Sequence, residues 1–121
     1  MPKILIVDDD LMNRTLLRQI LEELEAEGVE LLTAGDGESA LKMIRDELPG
    51  IVFLDVIMPK MSGHDVCKAV KNDATLNHIH VVMLSMLDKN AAGDDAGADL
   101  YLTKPYSPEK ILETARTILG L

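Results

Sequence analysis

Five short apolar runs punctuate the chain, and each gives way to polar or turn-forming residues. Lys3–Val7 (KILIV) is one such run, β-branched and ended by Asp8-Asp9-Asp10, and it predicts a strand. From Leu11 to about Glu27, Leu17, Ile20, Leu21 and Leu24 recur at helical spacing, glutamates fill the other faces, and Gly28 is the stop signal. Val29–Ala34 predicts the second strand, and Gly35-Asp36-Gly37 turns the chain into a helix over Glu38–Glu47 with Ala40, Leu41, Met43 and Ile44 on its apolar stripe. Pro49-Gly50 ends that helix, and Ile51–Leu54 is the third strand, with Asp55 at its carboxyl end. Met58-Pro59 and Ser62-Gly63 are turn residues, followed by a helix from about His64 to Lys71. His80–Ser85 is the fourth strand, apolar almost throughout, and Leu100–Leu102 the fifth. Ser107 as N-cap with Pro108 at the first helical position opens a last helix, whose apolar face is Ile111, Leu112, Ala115, Ile118 and Leu119.

Strand and helix alternate, and the strands are apolar enough to be buried on both faces. The expectation is an α/β fold, (βα)5, with one doubly wound five-stranded parallel sheet forming a single domain over residues 1–121. One segment resists. Asp88–Asp99 (DKNAAGDDAGAD) should hold the fourth helix, yet it has two glycines, four aspartates and alanine as its only apolar type. A shortened or irregular fourth helix is expected there.

Composition narrows the function classes. Aromatic residues make up only 2%, so the core is aliphatic, and 21 acidic against 12 basic residues give a net charge of -9. That balance speaks against direct nucleic-acid or anionic-membrane binding and suits cations and basic partners. No run approaches the ~20 apolar residues of a membrane helix, and the N-terminus lacks the pattern of a signal peptide, so the expected location is cytoplasmic. The lone Cys67 excludes an internal disulfide and sits in a helical pattern beside Val66 and Val70, as a core thiol would. His64, His78 and His80 lack metal-ligand spacing.

In a parallel sheet the strand C-termini share one edge, where such folds bind ligands. Asp8 and Asp9, Asp55, Ser85 and Lys104 all fall at that edge. Taken singly, the aspartates after the first strand would be a helix cap, Ser85 a strand-end serine and Lys104 a surface lysine; their convergence is what carries chemistry. Close carboxylates repel by about 1 kcal/mol per pair even in water. An all-oxygen set of this kind suits Mg²⁺ or Mn²⁺. Lys104 and Ser85 then supply a cation and a donor for a phosphoryl group, and a carboxylate such as Asp55 can act as a nucleophile toward phosphorus.

The motifs ILIVDDD, IVFLDVIMPKMSG, VVMLS and GADLYLTKPY, in this order and spacing, resemble the receiver domain of two-component response regulators over the whole chain. The resemblance implies strand order 2-1-3-4-5 and a phospho-acceptor at Asp55. It implies that Asp9 ligates Mg²⁺ directly, Asp8 acts through water, and the main-chain carbonyl of Ile57 is a further ligand. Lys104 would pair with Asp55 and then with the phosphate. Ser85 would move to bond the phosphate, and Tyr101 would swing inward after it. A cis peptide is expected at Lys104–Pro105. The implied partners are a histidine kinase or histidine phosphotransfer protein and a downstream protein target or an output domain absent from this sequence. Such a protein phosphorylates itself as a signalling switch rather than turning over as an enzyme.

Departures from the family pattern are also legible. Met86 is bulkier than the small residue usual there, and Ser85 and Lys104 stand 19 positions apart, short by roughly one helical turn. Ile57 and Leu87, two beyond the acceptor and two beyond Ser85, are both apolar and offer a hydrolytic water no donor or acceptor, so slow self-dephosphorylation is expected. An aspartyl phosphatase or mutase would carry a second acid where Ile57 stands, and a flavodoxin-like carrier would not place three aspartates in its phosphate loop. A receiver-like module that is never phosphorylated remains the alternative.

Overall fold

A computed structural model describes residues 2–86 and 96–121. Strands β1 (Lys3–Val7), β2 (Glu30–Ala34), β3 (Ile51–Asp55), β4 (His80–Ser85) and β5 (Leu100–Thr103) form one sheet in the order β2-β1-β3-β4-β5. Every pairing is parallel, with Val7 opposite Leu54, Asp55 opposite Leu84 and Ser85 opposite Thr103. Among the described residues the α-helices are α1 (Leu11–Leu21), α2 (Gly37–Glu47), α3 (Gly63–Lys71) and α4 (Pro108–Leu119).

Alternation along the strands divides the core in two. Leu5, Val7, Val52, Leu54, Val81 and Met83 pack with the inner faces of α2 and α3. Ile4, Ile6, Ile51, Phe53, Val82 and Leu84 pack with α1 and α4. β3 is buried over its whole length, and Phe53, the only phenylalanine, is completely enclosed, a burial that stabilises by roughly 1.5–3 kcal/mol. Cys67 is fully buried, and its thiol donates to the Ala96 carbonyl.

Local chemistry sets the helix ends. Asp10 caps α1 by accepting from the Met12 N–H, Asp36 caps α2 at Ser39, and Ser107 caps α4 at Lys110. Ser62 and Asp65 form a reciprocal capping box on α3. The helix expected from Leu11 to about Glu27 is α-helical only to Leu21 and continues as a 3₁₀ helix over Glu22–Glu27. Leu24, three residues after Leu21, stays on the same buried side, a spacing that either kind of helix provides. The 3₁₀ helix also carries four glutamates, Glu22, Glu23, Glu25 and Glu27, which no α-helix C-terminus favours.

The expectation for Asp88–Asp99 falls largely on residues outside those described, as does Leu87. The end of that segment is anchored. Lys71 Nζ donates to the Ile79 carbonyl at 2.7 Å and pairs with Asp99 at 2.7 Å, while Asp99 accepts the Val81 N–H at 2.7 Å. The entry to β5 is thereby tied to α3 and to the start of β4.

Candidate functional site

The site is assembled at the C-terminal edge of the sheet. Asp8 leaves β1, Asp55 ends β3, Ser85 ends β4 and Lys104 follows β5. One carboxylate oxygen from each of Asp8, Asp9 and Asp55 lies within 4.8 Å of the others. Asp8 is only 1% exposed and Asp55 8%, whereas Asp9 is open to solvent.

Asp8 is held on three sides. Its Oδ1 accepts the Asp10 N–H at 2.9 Å, its carbonyl accepts from Arg14 Nη1 at 2.6 Å, and its N–H donates to the Ala34 carbonyl. Its Oδ2 is buried with no hydrogen-bond partner among the described residues. Burial holds the Asp8 carboxyl above the usual carboxylate range; the Asp10 N–H opposes this, and the Asp55 charge adds to it. A buried, unsatisfied carboxylate oxygen beside two further carboxylates is a donor set that fits a divalent cation bound through oxygen.

Asp55 Oδ1 lies 3.4 Å from Lys104 Nζ and accepts weakly from the Ile57 N–H, also at 3.4 Å. Lys104 is positioned through its backbone, whose N–H donates to the Ser85 carbonyl at 2.7 Å. The Lys104–Pro105 peptide is cis. Ser85 is buried, Tyr101 stands opposite Met83 half-buried on the α2/α3 side, and Ile57 and Met86 are largely exposed at the rim. His78 and His80 are exposed, and His64 is partly buried.

Two residues at this site were not singled out by the sequence. Arg14 looks like an ordinary charged position of α1 until the fold turns it back over Asp8. Tyr106 is half-buried where burial, then the charges of Asp8 and Asp55, raise its hydroxyl above the usual range; its place directly after Lys104-Pro105 was the available signal.

A model of the response regulator receiver domain matches residues 4–116. The chain belongs to this family. It is 37% identical over 118 residues to a probable transcriptional regulator, ycf27, of Guillardia theta, covering 97% of this chain but 45% of that protein. It is 37% identical over 113 residues to protein PilG of Pseudomonas aeruginosa, covering 91% and 82%. The BeF3-activated receiver domain of DrrB, a Thermotoga maritima protein, superposes with a TM-score of 0.84 at 33% identity, covering 100% of this chain and 99% of that one. This receiver thus spans about half the length of the ycf27 relatives. Receiver domains bind Mg²⁺ at an acidic pocket, and Asp8, Asp9 and Asp55 form one here. Among the described residues, no helix is long and apolar enough to cross a membrane.

Proposed function

We propose that this receiver is a phosphoryl-accepting switch whose acceptor is Asp55. The observation that carries the reading is the ammonium of Lys104 at 3.4 Å from Asp55, facing a cluster in which a buried Asp8 oxygen has no partner among the described residues. An oxygen of Asp55 attacks phosphorus in line. The P–N bond of a phosphohistidine breaks, its electron pair returns to the imidazole nitrogen, and an acyl phosphate forms. Lys104 sits where negative charge develops on the transferring group. Asp9 and Asp55, the Ile57 carbonyl and, through water, Asp8 would hold Mg²⁺ or Mn²⁺. When bound, the cation neutralises these carboxylates and the phosphoryl oxygens. The new dianion recruits the Ser85 hydroxyl, and Tyr101 turns inward, so that a local charge biases a protein-binding surface. The donor is a histidine kinase or phosphotransfer protein. A relative activated by BeF3, a phosphoryl mimic in chemistry, supports this reading. The target is a protein surface or an output domain; several relatives are named transcriptional regulators, which makes output on DNA through such a domain compatible with an acidic receiver.

Intact mass after incubation with Mg²⁺ and acetyl phosphate tests the acceptor. The expected result is a Mg²⁺-dependent gain of one phosphoryl group (about 80 Da, the mass of HPO₃ added on acyl-phosphate formation) that Asp55→Ala abolishes. No gain, or a gain that survives the substitution, returns the protein to the class of unphosphorylated interaction modules.

The lifetime of the phosphorylated form is expected to be long, because the exposed Ile57 offers a hydrolytic water no hydrogen bond. Ile57→Asn combined with Leu87→Gln is expected to speed decay by about tenfold or more, the scale of one positioned polar group. Unchanged decay of the phosphoprotein mass would refute this.

A further inference from the structure

We propose that Arg14 is a positioning residue for the cation site, aiming the Asp8 carboxylate into the acidic cluster from behind. This rests on the reading of Asp8, Asp9 and Asp55 as a divalent-cation site. Arg14 lies in the first turns of α1, its own N–H donating to the Asp10 carbonyl at 3.0 Å. Its side chain folds back over the β1–α1 turn, and Nη1 donates to the Asp8 carbonyl at 2.6 Å. The same guanidinium lies against the β2–α2 turn, where a Cβ added to Gly35 would come within 3.0 Å of Nη1. A glycine there leaves the room that the guanidinium occupies.

The consequence is geometric. Asp8 is gripped at its carbonyl by Arg14, at its N–H by Ala34 and at Oδ1 by the Asp10 N–H. These bonds leave Oδ2, buried and without a partner among the described residues, as the Asp8 oxygen that no protein hydrogen bond occupies and that a water of the cation's shell would meet. Releasing the carbonyl frees the Asp8 peptide to rotate, and the carboxylate rotates with it. A group that orients a metal-binding residue in this way commonly accounts for tenfold or more of metal affinity.

The sign of the effect separates this role from the alternatives. If Arg14 acted only as a nearby positive charge, its removal would strengthen Mg²⁺ binding, because one repelling cation is gone. If it served the fold alone, its removal would lower thermal stability and leave Mg²⁺ affinity unchanged. A positioning role predicts weaker binding despite the loss of a like charge.

The experiment is a calorimetric titration of Mg²⁺ into wild type, Arg14→Met, Arg14→Lys and Arg18→Met, at fixed pH and ionic strength, with melting measured with and without Mg²⁺. Arg18 is a control of equal charge on the same helix, 3.9 Å from Glu25. Arg14→Met is expected to bind Mg²⁺ about tenfold more weakly and to lose most of the Mg²⁺-induced rise in melting temperature. Arg14→Lys, which keeps the charge on a single donor nitrogen but loses the planar fork, is expected to weaken binding about threefold. Arg18→Met should stay within about twofold of wild type, as expected for an exposed, screened charge. Equal or tighter binding by Arg14→Met, or equal weakening by Arg18→Met, overturns the proposal. Should Arg14→Met fail to fold, Arg14→Lys decides: affinity equal to or tighter than wild type overturns it, weakening supports it. A wild type that binds no Mg²⁺ removes the cation-site reading itself, an outcome distinct from wild-type binding that Arg14→Met leaves intact.

Discussion

Gly63→Ala is expected to destabilise the protein by about 3 kcal/mol and to reduce phosphoryl uptake by about 100-fold. A Cβ built on Gly63 would stand 2.2 Å from the Asp55 carbonyl oxygen and 2.9 Å from the Val56 Cα. Both obstacles are backbone, so no side-chain rotation relieves them. Gly63 opens α3 immediately beneath the acceptor, and its N–H donates to the Val56 carbonyl at 2.9 Å. Either the helix start retreats, or the Asp55–Val56 peptide turns. The first costs packing of Val66, Cys67 and Val70 against the sheet; the second displaces the acceptor carboxylate relative to Lys104 and Asp8. Thermal melting by circular dichroism should fall by roughly 10 °C for a chain of this length, and the mass assay with acetyl phosphate should show slowed uptake. A variant with unchanged melting and unchanged uptake would mean that the close approach does not hold Asp55 in place.

Asp8→Asn is expected to act in the opposite direction in the absence of divalent cations, raising stability by about 1–2 kcal/mol. Asp8 carries a carboxylate that is 99% buried, with one oxygen unpartnered among the described residues and the Asp55 charge beside it. Asparagine has the same shape and keeps an oxygen for the Asp10 N–H, while it removes the charge whose desolvation holds the carboxyl above its usual range. An unpaired buried amide is cheaper than an uncompensated buried charge. In wild type, added Mg²⁺ should stabilise by about 1.4 kcal/mol for each tenfold excess over its dissociation constant. Asp8→Asn should lose that gain. Melting of both proteins in EDTA and in excess Mg²⁺ gives all four numbers. A variant less stable than wild type in EDTA, or one that keeps the full Mg²⁺ gain, would show that Asp8 is no strained half of a cation site.

Both predictions depend on contacts that a linear reading passes over. Ser62-Gly63 reads as turn chemistry, and the turn is there, with Ser62 in a capping box. The stronger reason for glycine is the Asp55 carbonyl eight residues earlier, brought within reach only when α3 folds back under β3. Asp8 reads equally well as a capping residue or a ligand. The cap is Asp10, the aspartate the sequence itself reads as only a cap, which accepts from Met12; the burial of Asp8 follows from its place between β2 and β3 at the sheet's edge.

The strands and helices themselves were legible because their signals are local. A four-residue apolar run ended by an acid, a Ser-Pro pair before a 3.6-residue repeat and a glycine after one act through neighbours in the chain, so pattern alone places β1, β3, β4 and α4 within a residue. The convergence of Asp8, Asp9, Asp55 and Lys104 was also legible, since parallel strands must end on one edge. Strand order came from the family resemblance, not from periodicity. The change of the first helix to 3₁₀ geometry after Leu21 was not legible, because the spacing that buries Leu24 fits either kind of helix.

By itself, then, the sequence determined the alternation of elements, the aliphatic core and the edge at which the acids, the hydroxyl and the ammonium meet, because these depend on residue type and period. Only the tertiary structure decided which acid is buried and which is open, that Arg14 grips the Asp8 carbonyl over Gly35, that Gly63 lets α3 touch the acceptor strand, and that Lys71 ties Asp99 to β4. Those contacts join residues from different elements, and their energies depend on distances of a few ångströms that no local pattern encodes.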